Sequence, residues 1–130
     1  MHTASCRCGA LTAECSGDPV RISVCHCLEC QRRSGSVFAA QARFPEAAVT
    51  LTGPTVTYRH AGGSGKVATF LFCPTCGATL AWRNEGMEGT IAIPTGAFAD
   101  PSFPAPNYSV YEGRKHPWVE ITAEGVEHFD

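Results

Sequence analysis

The amino-acid sequence predicts a mainly β protein with little helix. Apolar and polar residues alternate over many short segments, which is the period of a half-buried strand. Gly, Pro and Asn separate these segments, in stretches such as AGGSG and RNEGMEG, as they do in turns. The chain has 130 residues, of which 44% are apolar and 17% charged, the size and composition of one globular domain. We therefore expect residues 1–130 to form a single domain.

The expected strands follow one another along the chain. The first, GALTAEC, has Leu11, Ala13 and Cys15 on one face. The second, SVFAAQARF, has four apolar residues on one face: Phe38, Ala40, Ala42 and Phe44. The pattern continues in PTVTYRH, KVATFLF, ATLAWR, GTIAIP, NYSVYEG and WVEITAEGVEHF. Helical turns are expected only in LECQRRSG and TGAFAD, which are too short to carry an apolar face.

The charge of the chain argues against nucleic acid as a partner. The formal net charge is -2 and the pI about 6.2, so the protein has no general positive field. Eight of the ten basic residues are nevertheless arginine, which binds carboxylates and phosphates through two hydrogen bonds at once. The composition is therefore compatible with a small anionic ligand.

Membrane insertion and secretion are not expected. No apolar run approaches the roughly eighteen residues of a membrane helix, and the start, MHTASCRCGAL, lacks the basic and apolar regions of a secretory signal. We expect a cytoplasmic protein. Since that compartment keeps thiols reduced, the eight cysteines favour metal ligands or catalytic thiols over disulfides.

Four of the cysteines form two spaced pairs. CRCG supplies Cys6 and Cys8, and CPTCG supplies Cys73 and Cys76, each pair followed by a glycine that can adopt the left-handed conformation of a tight turn. Together they predict one closed four-thiolate zinc site that joins the N-terminal edge of the sheet to the turn after KVATFLF. The alternative, four buried free thiols, does not account for the two spacings.

Three more cysteines, Cys25, Cys27 and Cys30, lie close together in VCHCLECQRRSG. Three protein ligands with a fourth position for water or substrate are typical of a catalytic zinc, whereas structural zinc is normally closed by four. Cys15 shares the apolar face of its strand, so we interpret it as a small core residue. The sequence thus predicts two zinc ions per chain.

Two alternatives compete at this triplet. His26 would close the site as a fourth ligand, but successive side chains of an extended C-x-C segment point to opposite sides. A surface histidine, or one that supports the ligands without binding metal, is the favoured interpretation. Thiol exchange by Cys27 and Cys30 as a C-x-x-C pair is the other alternative, and it leaves Cys25 without a role.

The segments CRCGAL, CHCLECQRRSGS and FCPTCGATL, in this order and spacing, resemble the glutathione-dependent formaldehyde-activating enzyme family, which includes centromere protein V. The resemblance extends from about Ser5 to HPWVEI. It implies a zinc-containing, β-sandwich-like fold similar to methionine sulfoxide reductase B. It also implies a structural zinc on Cys6, Cys8, Cys73 and Cys76, and a catalytic zinc on Cys25, Cys27 and Cys30.

The activity implied by the resemblance is that of a carbon–sulfur lyase, which joins glutathione and formaldehyde as S-hydroxymethylglutathione. The expected partners are a small thiol and an aldehyde, with His26 as a proton donor and Arg32 and Arg33 as carboxylate-binding residues or merely solvated charges. The family tends to carry a histidine before the late Pro-Trp pair, and this chain has Asn107 near that place. Homo-oligomerisation stays open.

A function of another class is also compatible with the motifs. Both metals would then be structural, and the domain would be a zinc-stabilised module that binds a protein partner. The fourth ligand of the triplet discriminates between the two hypotheses. Water or a small thiol favours an enzyme, whereas His26 or another side chain favours a module.

Overall fold

The computed structural model describes residues 1–130 and confirms the mainly β fold, with two sheets and one short α-helix. The smaller sheet contains β1 (His2–Ser5), β2 (Thr12–Cys15) and β5 (Val49–Thr52). The larger sheet contains β3 (Arg21–Cys25), β4 (Ala39–Pro45), β6 (Val56–Ala61), β7 (Val67–Phe72), β8 (Thr79–Asn84), β9 (Thr90–Pro94), β10 (Tyr108–Val110) and β11 (Glu127–His128). The helix is α1 (Leu28–Ser34), and short 3-10 turns cover Glu46–Ala48, Thr95–Phe98 and Glu112–Arg114.

The strand order places β4 and β9 at the middle of the larger sheet, with β3 next to β4. The small sheet runs β1-β2-β5, and the large one runs β11-β10-β3-β4-β9-β8-β7-β6. All pairs are antiparallel except those of β10, which is parallel to both β3 and β11. Alternate side chains of a strand point to the same face of a sheet, so the neighbouring strands β3, β4, β9, β8 and β7 together form a broad surface.

The hydrophobic core lies between the two sheets. Leu11, Ala13 and Cys15 are fully buried and pack in one cluster with Phe44 and Ile91 of the large sheet. The structure therefore agrees with the expectation that Cys15 is a core residue, and burial raises the pKa of its thiol to about 11. The small sheet covers one face of the large sheet and leaves the opposite face uncovered.

The strand predictions succeed where alternation is long and fail at the C-terminus. WVEITAEGVEHF is not one strand, since only Glu127–His128 pairs with a neighbour. A turn closed by Val126 N and Ala123 O, at 3.2 Å, bends the chain there, and Trp118 is 74% exposed. Strands β1, β3 and β5 were not expected, and β3 is buried on both faces and so does not alternate.

Both helical predictions are confirmed. LECQRRSG forms α1, and TGAFAD forms the 3-10 turn Thr95–Phe98. Gly35 ends α1 in the left-handed conformation, with φ of 73° and its N–H donating to Gln31 O at 2.8 Å. None of the helices has the length and apolar character needed to cross a membrane.

Candidate functional site

The four-cysteine cluster consists of Cys6, Cys8, Cys73 and Cys76, which the fold brings together from two distant turns. All four sulfur atoms lie within 4.8 Å of one another. Cys8 Sγ is 3.7 Å from Cys6 Sγ and 3.6 Å from Cys73 Sγ. A tetrahedral site with Zn–S bonds of about 2.3 Å has sulfur atoms about 3.8 Å apart. The spacing of the sulfurs therefore fits a four-thiolate zinc site.

The two turns that carry these cysteines are built alike. Cys6 N and Cys73 N each donate to the carbonyl five residues further on, at 2.9 and 3.0 Å. Gly9 and Gly77, which close the turns, have φ of 86° and 77°. Backbone N–H groups point at the sulfurs in both turns, and the N–H of Ala78 lowers the pKa of Cys76 to about 6. The turns thus stabilise thiolates, which are the form that binds metal.

The three-cysteine cluster consists of Cys25, Cys27 and Cys30, whose sulfur atoms also lie within 4.8 Å of one another. Cys25 is the last residue of β3, Cys27 caps the N-terminus of α1, and Cys30 lies in the first turn of that helix. Cys27 Sγ accepts a hydrogen bond from Cys30 N at 3.4 Å, which is the usual role of a Ser or Asp at this position. The strand-to-helix junction therefore aims all three thiols at one point.

One thiol of this cluster is acidic. A hydrogen bond from Cys30 lowers the pKa of Cys25 to about 6, and the N–H of Cys27 and the charge of Arg33 act in the same direction against burial. Burial raises the pKa of Cys27, and the interaction with Cys25 raises the pKa of Cys30. The two remaining thiols thus surround one thiolate. A metal cation that binds the three sulfurs would displace the protons of those two thiols.

His26 is brought close to other residues but not to the three sulfurs. It is fully buried, and its Nε2 lies 3.0 Å from Ser109 Oγ, which in turn donates to Glu112 Oε2 at 2.6 Å. Since that hydroxyl proton is engaged, Nε2–H of His26 is the donor to Ser109. Burial lowers the pKa of His26, and its Nδ1 has no hydrogen-bond partner. The interpretation of His26 as a surface residue is wrong, and the alternation of side chains explains why it leaves the cluster.

The two arginines of α1 have different surroundings. Arg33 follows Cys30 by three residues and so lies on the same helix face, with its guanidinium 4.2 Å from the centre of the Trp82 ring. Arg33 is half-buried, and burial lowers its pKa while the cysteine thiolates beside it oppose that shift. The side chain of Arg32 is 78% exposed and pairs with Glu29 at 3.3 Å. Only Arg33 therefore adds its charge to the three-cysteine cluster.

A cavity of about 1100 Å³ opens beside the three-cysteine cluster and extends across the free face of the large sheet. Its lining includes all three cysteines of the cluster, together with Arg33, Phe70 and Trp82. His26 does not line it. A small molecule in this cavity would have access to the three sulfurs, whereas the four-cysteine cluster does not border it.

Several residues that shape the site were not expected from the sequence. Arg21 and Arg43 line the cavity from β3 and β4, and the signal in the sequence is an arginine inside a segment otherwise typical of a core strand, as in AAQARF. Gln31 joins His26 O at 2.8 Å to His116 Nε2 at 3.0 Å and so fastens α1 to the C-terminal segment. Asn107, by contrast, is structural, because its Oδ1 accepts from Ile22 N at 2.9 Å.

Comparison with known proteins matches most of the chain to one family model. The sequence model described as glutathione-dependent formaldehyde-activating enzyme matches residues 1–114. The chain is also similar to a Rhodobacter sphaeroides protein of known crystal structure, with a TM-score of 0.57 and 21% sequence identity over 73% of this chain and 85% of that one. No curated protein matches the chain. The structural similarity supports the fold alone.

Proposed function

Because the chain belongs to the glutathione-dependent formaldehyde-activating enzyme family, we propose that residues 1–130 are a zinc-dependent carbon–sulfur lyase domain. It would form and cleave the adduct of a small thiol, such as glutathione, with an aldehyde such as formaldehyde. The observation that carries this proposal is the three-cysteine cluster, whose sulfurs border the large cavity and have no fourth protein ligand among them. The expected setting is the cytoplasm, where eight free thiols stay reduced.

The donor set suits two zinc ions. The four-cysteine cluster would hold a closed structural ion, and Cys25, Cys27 and Cys30 would hold a second ion with one position left for a substrate thiol or water. Zinc bound at that second site supplies a Lewis acid that keeps a coordinated thiol deprotonated. The protein contributes the acidic Cys25 and the strand-to-helix junction that fixes the directions of all three ligands.

The reaction needs no redox partner. The substrate S–H loses its proton, the sulfur forms a bond with the carbonyl carbon, and the C=O π pair moves onto oxygen, which takes up a proton to give the thiohemiacetal. Arg33 supplies a fixed positive charge beside the sulfurs, where it stabilises the negative charge carried first by sulfur and then by oxygen. Trp82 and Phe70 flank that guanidinium and limit its hydration.

The role of His26 follows from its contacts. With its Nε2–H engaged by Ser109 and its ring outside the cavity, His26 is better suited to holding the β3–α1 segment against β10 than to donating a proton. The binding-module hypothesis needs a fourth protein ligand at the triplet. The engagement of His26 with Ser109 and the alternation of side chains support the enzyme over that module.

Cobalt substitution tests the proposal directly. Cobalt in a thiolate site has visible ligand-field bands and a thiolate charge-transfer band, so a new thiolate ligand changes both. Titration of the cobalt-loaded protein with glutathione is expected to change these bands. Formaldehyde added afterwards should yield adduct faster than the spontaneous reaction. The absence of any spectral change with thiols, together with a rate equal to the spontaneous one, would remove the enzyme proposal and leave the binding module.

A further inference from the structure

Two arginines on adjacent strands lie in the wall of the cavity. Arg21 of β3 and Arg43 of β4 are direct cross-strand partners in the antiparallel register, and both line the cavity. Like charges directly opposite one another destabilise a sheet. Neither arginine forms an ion pair with a carboxylate of the protein. The pair therefore concentrates positive charge without a countercharge, in a chain whose net charge is -2.

Arg43 is the more unusual of the two, because only 7% of it is exposed. Its Nη2 donates to Asn84 Oδ1 at 3.0 Å and its Nη1 to Thr90 Oγ1 at 3.2 Å. These bonds use two of the five N–H groups of the guanidinium and fix its plane. A buried charge is costly unless it is paired. The geometry is that of a cation held in place for a partner outside the chain.

Arg21 is held by an aromatic ring. Its guanidinium lies 4.4 Å from the centre of the Tyr108 ring, which belongs to the neighbouring strand β10. A cation over an aromatic face is attracted by the ring and keeps its N–H groups free at the edges. Arg21 and Arg43 thus present two ordered guanidiniums on the same cavity wall, Arg21 turned towards β10 and Arg43 towards β8 and β9. Arg binds carboxylates through paired hydrogen bonds.

The acidic residues of the cavity already have partners. Glu29 pairs with Arg32 at 3.3 Å and with His60 at 2.8 Å, and Glu85 accepts from Val67 N at 2.7 Å. These are the two carboxylates that line the cavity, against five Lys and Arg side chains. The lining thus has an excess of positive charge that suits an anionic molecule.

The arginine pair lies a defined distance from the three-cysteine cluster. Arg21 and Cys25 are on the same face of β3, four residues apart, which is about 13 Å along a strand. A fully extended tripeptide spans about 10 Å, and an arginine side chain can cover the remaining distance. We propose that Arg21 and Arg43 bind a carboxylate of a peptide-sized anionic thiol whose sulfur lies at the three-cysteine cluster. This inference rests on the proposed function and assigns the residues that bind the carboxylate of its thiol substrate.

A calorimetric comparison of ligands tests the inference. The full-length, metal-loaded protein would be titrated with three ligands: glutathione, glutathione diethyl ester, which lacks the carboxylates, and S-methylglutathione, which keeps the carboxylates but lacks the thiol. We expect the ester to bind the natural chain about 10- to 100-fold more weakly than glutathione, the range for charge-assisted hydrogen bonds. The Arg43→Gln variant should bind glutathione more weakly than the natural chain does, by a similar factor. Its affinity for the ester should stay within about twofold of that of the natural chain.

The control is Arg59→Gln, since Arg59 is exposed on β6, does not line the cavity and has no ion pair. If Arg43→Gln does not fold, Arg21→Gln tests the same carboxylate site. The inference is overturned if these variants lower the affinity for glutathione no more than the control does, or if they lower the affinities for glutathione and for the ester equally. S-methylglutathione distinguishes a failure of this inference from a failure of the proposed function. The binding of S-methylglutathione should still depend on Arg43 even if no thiol coordinates the metal. Loss of cobalt band changes with retained, Arg43-dependent binding of S-methylglutathione would refute the lyase proposal alone.

Discussion

Replacing Cys73 should destabilise the whole domain, whereas replacing Cys27 should leave the fold largely intact. Cys73 is fully buried, and its sulfur lies 3.6 Å from that of Cys8, 65 positions earlier in the chain. A metal that joins these residues closes a loop of that length in the unfolded chain. A cross-link of this kind contributes about 4 kcal/mol by the loop-closure relation.

The same relation gives a smaller figure for the three-cysteine cluster. Cys25, Cys27 and Cys30 span a loop of six residues at most, for which the relation gives about 2 kcal/mol. Cys73→Ser is therefore expected to lower the free energy of unfolding by at least about 4 kcal/mol, roughly twice the effect of Cys27→Ser. In a domain of this size the first value corresponds to a fall in melting temperature of roughly 12–20 °C.

The assay is denaturant unfolding of both variants and of the natural chain, each with and without a chelator. Cys15→Ala is the matched control, because Cys15 is equally buried but lies outside both clusters, so it reports the cost of a small core truncation alone. After metal removal, Cys73→Ser should lose no more unfolding free energy relative to the natural chain than Cys15→Ala loses. Equal losses in Cys73→Ser and Cys27→Ser with metal bound would refute the division into a structural and a catalytic site.

Three further predictions follow from the site. Metal analysis of protein purified without chelator should give two zinc ions per chain, one released faster than the other, because three thiolates with an exchangeable position hold metal less tightly than four. A single ion of uniform lability would contradict this. Arg33→Gln should weaken thiol binding by about tenfold in the cobalt titration, whereas Arg32→Gln, an exposed neighbour, should match the natural chain. Ser109→Ala should cost about 1–3 kcal/mol in unfolding free energy, since it leaves the Nε2–H of buried His26 without an acceptor. An unchanged stability would mean that this network does not hold the segment.

The cysteine spacing was readable from the sequence because it is a local constraint on a turn. C-x-C and C-x-x-C with a following glycine are typical of a tight metal-binding turn, and the structure places Gly9 and Gly77 in the left-handed conformation of such a turn. The helical turn in LECQRRSG was likewise predicted locally, whereas strand β3 before it and the capping of α1 by Cys27 were not expected. Neither the cysteine spacing nor the helical turn required knowledge of which strands are neighbours.

The environment of the charged residues could not be read in the same way. Arg32 and Arg33 are adjacent in sequence, and only the position of α1 over Trp82 makes Arg33 part of the site. Arg43 looks like an isolated charge in a core strand until the register of β3 and β4 sets it opposite Arg21. His26 needed the long-range pairing of β3 with β10, which brings Ser109 to it. Such facts depend on strand order, which alternation does not encode.

The two cysteine clusters differ in how the fold holds them, which bears on the proposed division between a structural and a catalytic site. The four-cysteine cluster brings the turn after β1 next to the turn after β7 and does not border the cavity, so a metal bound there would be out of reach of a substrate. The three-cysteine cluster is held instead by backbone pairing of β3 with β4 and β10 and by the cap of α1, none of which requires metal. A site whose shape does not depend on its metal can leave one coordination position to a substrate. This separation of roles makes the open position at Cys25, Cys27 and Cys30 compatible with a stable domain.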